Sequence, residues 1–139
     1  MSLQGPILII DDKAEEHLLM KAAMEHLEVR NPVISFLNGK EALDYLVLSS
    51  EVPFLIFCDM DMPVMDGMEL RRRICADPVL KKKSIPFVFH TGSATSSAVD
   101  EAYEMTVQGV FRKPVDLYQM EHQIKVILTY WRLCIPVPL

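Results

Sequence analysis

No run of apolar residues in this 139-residue chain reaches the eighteen or so that a membrane span needs, although half of the residues are hydrophobic. The N-terminus also lacks the charged-then-apolar plan of a signal peptide. Cysteine is scarce. Cys58, Cys75 and Cys134 are odd in number, far apart and set among apolar residues, which fits buried reduced thiols and a cytoplasmic chain better than a disulfide framework. A broad basic face is missing too: the formal net charge is -5, and basic residues are scattered apart from Arg71-Arg72-Arg73 and Lys81-Lys82-Lys83. Direct contact with nucleic acid is therefore not expected. There is no internal repeat, no low-complexity stretch and no linker. The length and apolar content suit one globular domain over residues 1–139, with a core at about 6–133 and a short apolar, proline-containing tail at 134–139.

Short apolar runs alternate with longer amphipathic ones. "PILII" (6–10), "PVISF" (32–36), "PFLIFC" (53–58), "IPFVF" (85–89) and "GVF" (109–111) read as buried strands, rich in Val, Ile and Phe and bounded by Pro, Gly or Asp. Residues 13–28, 39–50, 67–76, 96–106 and 116–133 read as helices. In the last of these, Leu117, Met120, Ile124, Ile127 and Trp131 recur at three- and four-residue steps. Asp66 with Glu69 and Asp116 with Gln119 have capping-box spacing, and Thr95-Ser96-Ser97 offers caps for the fourth helix. The order is (βα)5. Continuously apolar strands alternating with helices predict an α/β fold, a doubly wound parallel five-stranded sheet covered on both faces.

In such a sheet ligands bind beyond the carboxyl ends of the strands. Strand 1 ends on Asp11-Asp12, strand 3 on Asp59, strand 4 on Thr91, and strand 5 close to Lys113-Pro114. Clustered carboxylates repel unless a cation sits among them. Oxygen donors without a His or Cys set favour a hard ion such as Mg²⁺, which takes one or two carboxylates and shares a phosphate. The chemistry so implied is phosphoryl transfer, with Asp59 as carboxylate nucleophile, Lys113 neutralising charge and Thr91 bonding a phosphoryl oxygen.

The set Asp11-Asp12, "DMDMPVMDG" from Asp59, "HTGS" with Thr91 and "FRKP" with Lys113 resembles the receiver domain of bacterial response regulators, the CheY-like family. The resemblance covers essentially the whole chain and implies a flavodoxin-like strand order of 2-1-3-4-5. It also implies a phosphorylation switch rather than an enzyme acting on an outside substrate. By it, Asp59 is the phosphoacceptor, Asp12 the principal acidic ligand of Mg²⁺ (or Mn²⁺), Asp11 an assistant through water, and the Asp61 backbone carbonyl a further ligand. Thr91 is the switch hydroxyl and Lys113 the phosphate partner, with a cis Lys113-Pro114 peptide. Gly92 stays small for close approach to the phosphoryl group. The partner implied is a sensor histidine kinase or histidine phosphotransfer protein, with no membrane or nucleic acid partner. The output face implied is the fourth helix, fifth strand and fifth helix, residues 95–133. The ending "PVDLYQMEHQIKVILTYW" looks similar to single-domain regulators that partner phytochrome-type kinases, some of which pair through that face. The tail "CIPVPL" would then pack on a second copy in a homodimer.

This sequence also departs from the family pattern. The aromatic residue usual three positions before the lysine is Val110 here, and Phe111 next door should face the other way. Asp61, two after the phosphoacceptor, and Ser93, two after Thr91, stand where the family tunes phosphoryl lifetime. His90 is unusual at its position: a structural or exposed role competes with sensitivity to pH. Taken singly, Asp12 with Glu15 also fits a helix capping box, Asp59 a turn residue, and Lys113 a solvated lysine. His17, His26 and His122 read as surface residues, the Met60, Met62, Met65 and Met68 group as packing and loop anchors, and Lys81–Lys83 as the solvated end of the third helix. Cys58 should point away from Asp59 into the core. Two other classes fit parts of the pattern. A haloacid dehalogenase-like phosphatase also carries Asp-x-Asp after an apolar strand, but its acidic pair follows that motif instead of preceding it. A non-phosphorylated pseudo-receiver would keep the fold for protein contacts alone.

Overall fold

Ile7–Ile10 (β1) and Leu55–Cys58 (β3) are buried at every position, as central strands covered on both faces must be. In the computed structural model, which describes residues 1–138, the elements follow in order. After β1 come Ala14–His26 (α1), Val33–Phe36 (β2), Gly39–Leu48 (α2), β3, Gly67–Ala76 (α3) and Pro78–Lys82 (α4). Phe87–Thr91 (β4), Ser96–Glu104 (α5), Gly109–Arg112 (β5) and Leu117–Leu133 (α6) complete the chain. The sheet order is β2-β1-β3-β4-β5 with every pair parallel, as predicted.

Strand alternation sorts the core into two layers. Leu8, Ile10, Ile56, Cys58, Phe87 and Phe89 face one cluster, closed by Ala42 and Leu46 of α2, Leu70 and Ile74 of α3, Leu80 of α4 and Ala102 of α5. Ile7, Ile9, Leu55, Phe57 and Val88 face the other, closed by Met20, Ala23 and Met24 of α1 and by Met120, Ile124, Ile127 and Leu128 of α6. Cys58 thus points into the core, as expected. Val110 packs on the first cluster and Phe111 on the second, the opposed pair that alternation required.

The helix starts carry their caps. Asn38 accepts from the Glu41 N–H, Asp66 from Glu69, Thr95 from Ala98, and Asp116 from Gln119. Such a cap is worth about 1 kcal/mol. Asp12 is not one of them: α1 starts after Lys13 with no side-chain cap, so the capping-box reading of Asp12 and Glu15 does not hold.

Three expectations about chain layout are corrected. The Lys81–Lys83 run is not the end of α3, because Asp77 closes that helix and caps a separate one, accepting from the Val79 and Leu80 N–H groups with Pro78 in the first turn. Lys83 is not simply solvated: its Nζ donates to the carbonyls of Ser49 and Glu51 at 3.3 and 3.4 Å. The packed core also extends ahead of residue 6, since Met1 is buried in the α1–α6 layer and Leu3 packs on it.

Candidate functional site

The parallel register sets Ile10 beside Cys58 and Cys58 beside Phe89, so the residues that follow β1 and β3 emerge at one rim with the end of β4. Asp11 and Asp59 are buried there and Asp12 is exposed, yet one carboxylate oxygen from each lies within 4.8 Å of the others. Two ammonium groups reach in. Lys113 Nζ is 2.7 Å from Asp11 Oδ2 and 3.2 Å from Asp59 Oδ2, with its side chain 9% exposed. Lys13 Nζ lies 3.3 Å from Asp12 Oδ1 and 3.5 Å from Asp59 Oδ2. Burial alone would lower the Lys113 pKa, but the Asp11 hydrogen bond and the charges of Asp11 and Asp59 outweigh it and hold it above the ordinary lysine value. Lys13 is raised on the same balance, with burial opposed by Asp59, Asp12 and Asp11.

Asp59 is fixed on its other oxygen, since Oδ1 accepts the Met60 N–H at 2.8 Å. Behind it, a Cβ on Gly67 would come within 2.2 Å of the Asp59 carbonyl oxygen, so only glycine lets α3 start this close to Asp59. Met60 is buried, and Met62, Met65 and Met68 pack on the same cluster, the anchoring role expected of them. Val64 holds φ 69° within this loop, a left-handed conformation that a β-branched residue rarely takes.

Thr91 ends β4 buried, and its Oγ1 donates to the Ser93 carbonyl at 2.9 Å. A Cβ at Gly92 would meet nothing within 4 Å, so the space beside Gly92 is open. Asp61 is exposed, and its carboxylate stands outside the three-carboxylate group. The Lys113-Pro114 peptide is trans, since no peptide bond among the described residues is cis; the cis expectation is corrected. Trans is the ordinary form of an X–Pro bond, and Lys113 reaches both carboxylates from it.

One histidine differs from expectation. His17 is not a surface residue: it is buried, and its Nε2 lies 2.7 Å from the Asp11 carbonyl, tying α1 to the acidic strand end. Of the two readings open for His90 the structural one holds: it is buried against the Phe57 ring, and that burial pushes its pKa down to about 4, which keeps it neutral at physiological pH. His26 is exposed and pairs with Glu121 Oε1 at 2.6 Å, as a surface histidine can. Burial also raises the Cys58 thiol well above its usual pKa, with Asp59 adding to the effect, so that thiol is an inert core group.

Sequence reasoning missed Lys13 and Glu16. Lys13 follows the acidic pair directly, and that adjacency was the available signal. Glu16 lies one helical turn on; burial raises its pKa, Lys113 works against that rise, and Asp11 and Asp59 add to it.

An oxygen-only donor set of three carboxylates fits a hard divalent cation, which needs few protein ligands. Residues 7–125 match the response regulator receiver domain family, and the chain belongs to it. It is 26% identical over 137 residues to response regulator Rcp1 of Synechocystis, covering 95% of this chain and 92% of that one. It is 28% identical over 129 residues to a probable methanogenesis regulatory protein, FilR2, of Methanothrix harundinacea, covering 90% and 82%. Among solved structures, a phosphorylated cyanobacterial phytochrome response regulator, RcpA, superposes with a TM-score of 0.83 at 27% identity, covering 96% and 98%. The Mn²⁺-bound form of Rcp1 superposes with a TM-score of 0.82 at 25% identity, covering 96% and 99%. The family is one of signalling proteins, not of classical enzymes, and its receivers bind Mg²⁺ or Mn²⁺ at an acidic pocket. This membership sets the phosphatase reading of Asp59-Met60-Asp61 aside. No helix among the described residues is long and apolar enough to cross a membrane.

Proposed function

We propose that this chain is a single receiver domain and a phosphorylation switch whose acceptor is Asp59. The convergence of Asp11, Asp12 and Asp59 within 4.8 Å, gripped by Lys113, carries the reading. Asp59 Oδ1 is occupied by the Met60 N–H, which leaves Oδ2, the oxygen facing both lysines, as the nucleophile. A lone pair of Oδ2 forms the new O–P bond while the P–N bond of a phosphohistidine breaks, and its electron pair returns to the imidazole of the donor. Lys113 balances the charge that arrives on the phosphoryl oxygens. Thr91 turns its hydroxyl from Ser93 to one of them, and Gly92 leaves room for the approach.

Asp12, Asp59, the Asp61 carbonyl and, in an assisting role, Asp11 are the groups that would hold Mg²⁺ or Mn²⁺. A bound ion would supply charge neutralisation for phosphoryl transfer. Asp61 and Ser93 set how long the acyl phosphate survives before water removes it, and Pro114 shapes the turn that presents Lys113. The donor is a histidine kinase or phosphotransfer protein, the classes with which receivers of this family interact. The site of action is the cytoplasm. The signal leaves through α5, β5 and α6. On α6, Tyr118, Val126, Tyr130 and Leu133 are exposed, and Ile135 of the tail is 94% exposed, which supports pairing of two copies through this face. A monomeric mass by light scattering at high concentration would remove that pairing from the account.

The test is ¹⁹F NMR with beryllofluoride, a phosphoryl mimic. Binding that requires Mg²⁺ and disappears in Asp59→Asn supports the acceptor. Failure of the wild-type protein to bind at any Mg²⁺ concentration turns the reading to a pseudo-receiver scaffold.

A further inference from the structure

With valine at position 110, β5 carries no aromatic side chain on the face toward α5. An aromatic residue reaches the open edge of β5 instead. The hydroxyl oxygen of Tyr103, on α5, accepts the Val110 N–H at 3.3 Å. β5 is an edge strand, so half of its backbone N–H groups have no ladder partner; this one is met by a side chain.

α5 is held in place by few groups. Only Ala102 of its nine residues is buried. At its rear, Arg71 of α3 donates from Nε to the Met105 carbonyl and from Nη2 to the Thr106 carbonyl, both at 3.1 Å, and Thr106 takes the left-handed φ of 59°. At its front, the Thr91 hydroxyl pins the Ser93 carbonyl, three residues before the helix begins. A hydroxyl has one proton to donate. Thr91 therefore bonds Ser93 or a phosphoryl oxygen on Asp59, and the second choice frees the front of α5 while Arg71 keeps the rear. The Tyr103 bond is already near the outer limit of hydrogen-bond length, so a displacement of about 1 Å breaks it.

We propose that Tyr103, carried on α5, is the aromatic reporter of this receiver: its hydroxyl holds the Val110 N–H while Thr91 bonds Ser93, and releases it when Thr91 turns to phosphorylated Asp59. Two surface features change together, the ring of Tyr103 and the bare N–H of the β5 edge. Tyr103 is 52% exposed, so a partner resting on this face senses both. The inference rests on the acceptor reading above.

Amide NMR of the full chain tests it, with and without beryllofluoride and Mg²⁺, in the wild type and in Tyr103→Phe, which keeps the ring and removes the hydroxyl. The expected result has three parts. The Asp59 and Lys113 amides shift in both proteins; the wild-type Val110 amide moves upfield and exchanges faster on adding beryllofluoride; in Tyr103→Phe the Val110 amide starts at that released position and stays there. Responding Asp59 and Lys113 amides beside an unmoved wild-type Val110, or a Val110 amide indifferent to the substitution, would overturn the role of Tyr103 alone. Unresponsive Asp59 and Lys113 amides would overturn the acceptor reading and this inference with it.

Discussion

α5 and α6 flank the same edge strand and are fastened to it by different physics. α6 runs for seventeen residues and buries Met120, Ile124, Ile127 and Leu128, each worth about 1.5–3 kcal/mol of apolar burial. α5 runs for nine and buries one alanine. What α5 has instead is polar: the Arg71 bonds to Met105 and Thr106, an ion pair between Arg72 and Glu101, the Tyr103 bond to Val110, and the Thr91 pin on Ser93. Apolar burial is proportional to area and offers no alternative partner. A hydrogen bond can be exchanged for another of similar worth. The same strand thus lies between a fixed wall and a movable one, and the movable one begins next to Thr91.

Cutting the fixed wall gives the largest effect. Ile124→Ala, at a fully buried site, is expected to lose about 3–4 kcal/mol in urea denaturation, while Val99→Ala on α5 loses less than about 1 kcal/mol. Equal losses would dissolve the distinction.

His90 gives the next effect, because it is buried on the α6 side beside Phe57. Its folded pKa of about 4 lies below the unfolded value of 6.5. Below pH 6.5 the unfolded chain takes up a proton that the folded chain refuses, so this contribution is full above pH 6.5, declines as pH falls, and is gone near pH 4. The span is about 3 kcal/mol. Thermal unfolding of His90→Leu across that range is expected to show this part of the pH slope flattened.

Weakening the movable wall sharpens the contrast with a smaller change. Arg71→Met keeps much of the side-chain bulk but loses the bonds to the end of α5, for about 2 kcal/mol. Hydrogen exchange should then quicken in α5 and leave α6 unchanged. Uniform quickening would mean that α5 is fastened as α6 is.

The central strands were legible because each begins as a continuous apolar run, and most helix starts because their caps stand in the sequence at the right spacing. β2 and β5, read as buried strands, are edge strands and only partly buried, β2 at every position. α4 was harder, since five residues are too few for a helical period, although Asp77-Pro78 is itself a start signal. The carboxylates, Thr91 and Lys113 could be read because strand ends in a parallel sheet share a rim. Lys13 and His17 could not be read from the same rule. Their roles depend on how α1 leaves β1, which places an ammonium over Asp59 and an imidazole under the Asp11 carbonyl. Tyr103 was hidden for a related reason. The sequence shows which residue β5 lacks, but only packing shows which helix brings an aromatic group to the same N–H.

The most direct test of the acceptor at Asp59 is the intact mass of the chain after incubation with a small-molecule phosphodonor, with and without Mg²⁺, beside Asp59→Asn. The account predicts a gain of one phosphoryl group that needs Mg²⁺, is released by hydroxylamine as an acyl phosphate is, and is absent from the variant. A gain of the same size in Asp59→Asn, or none in the wild type at the shortest times, would contradict it.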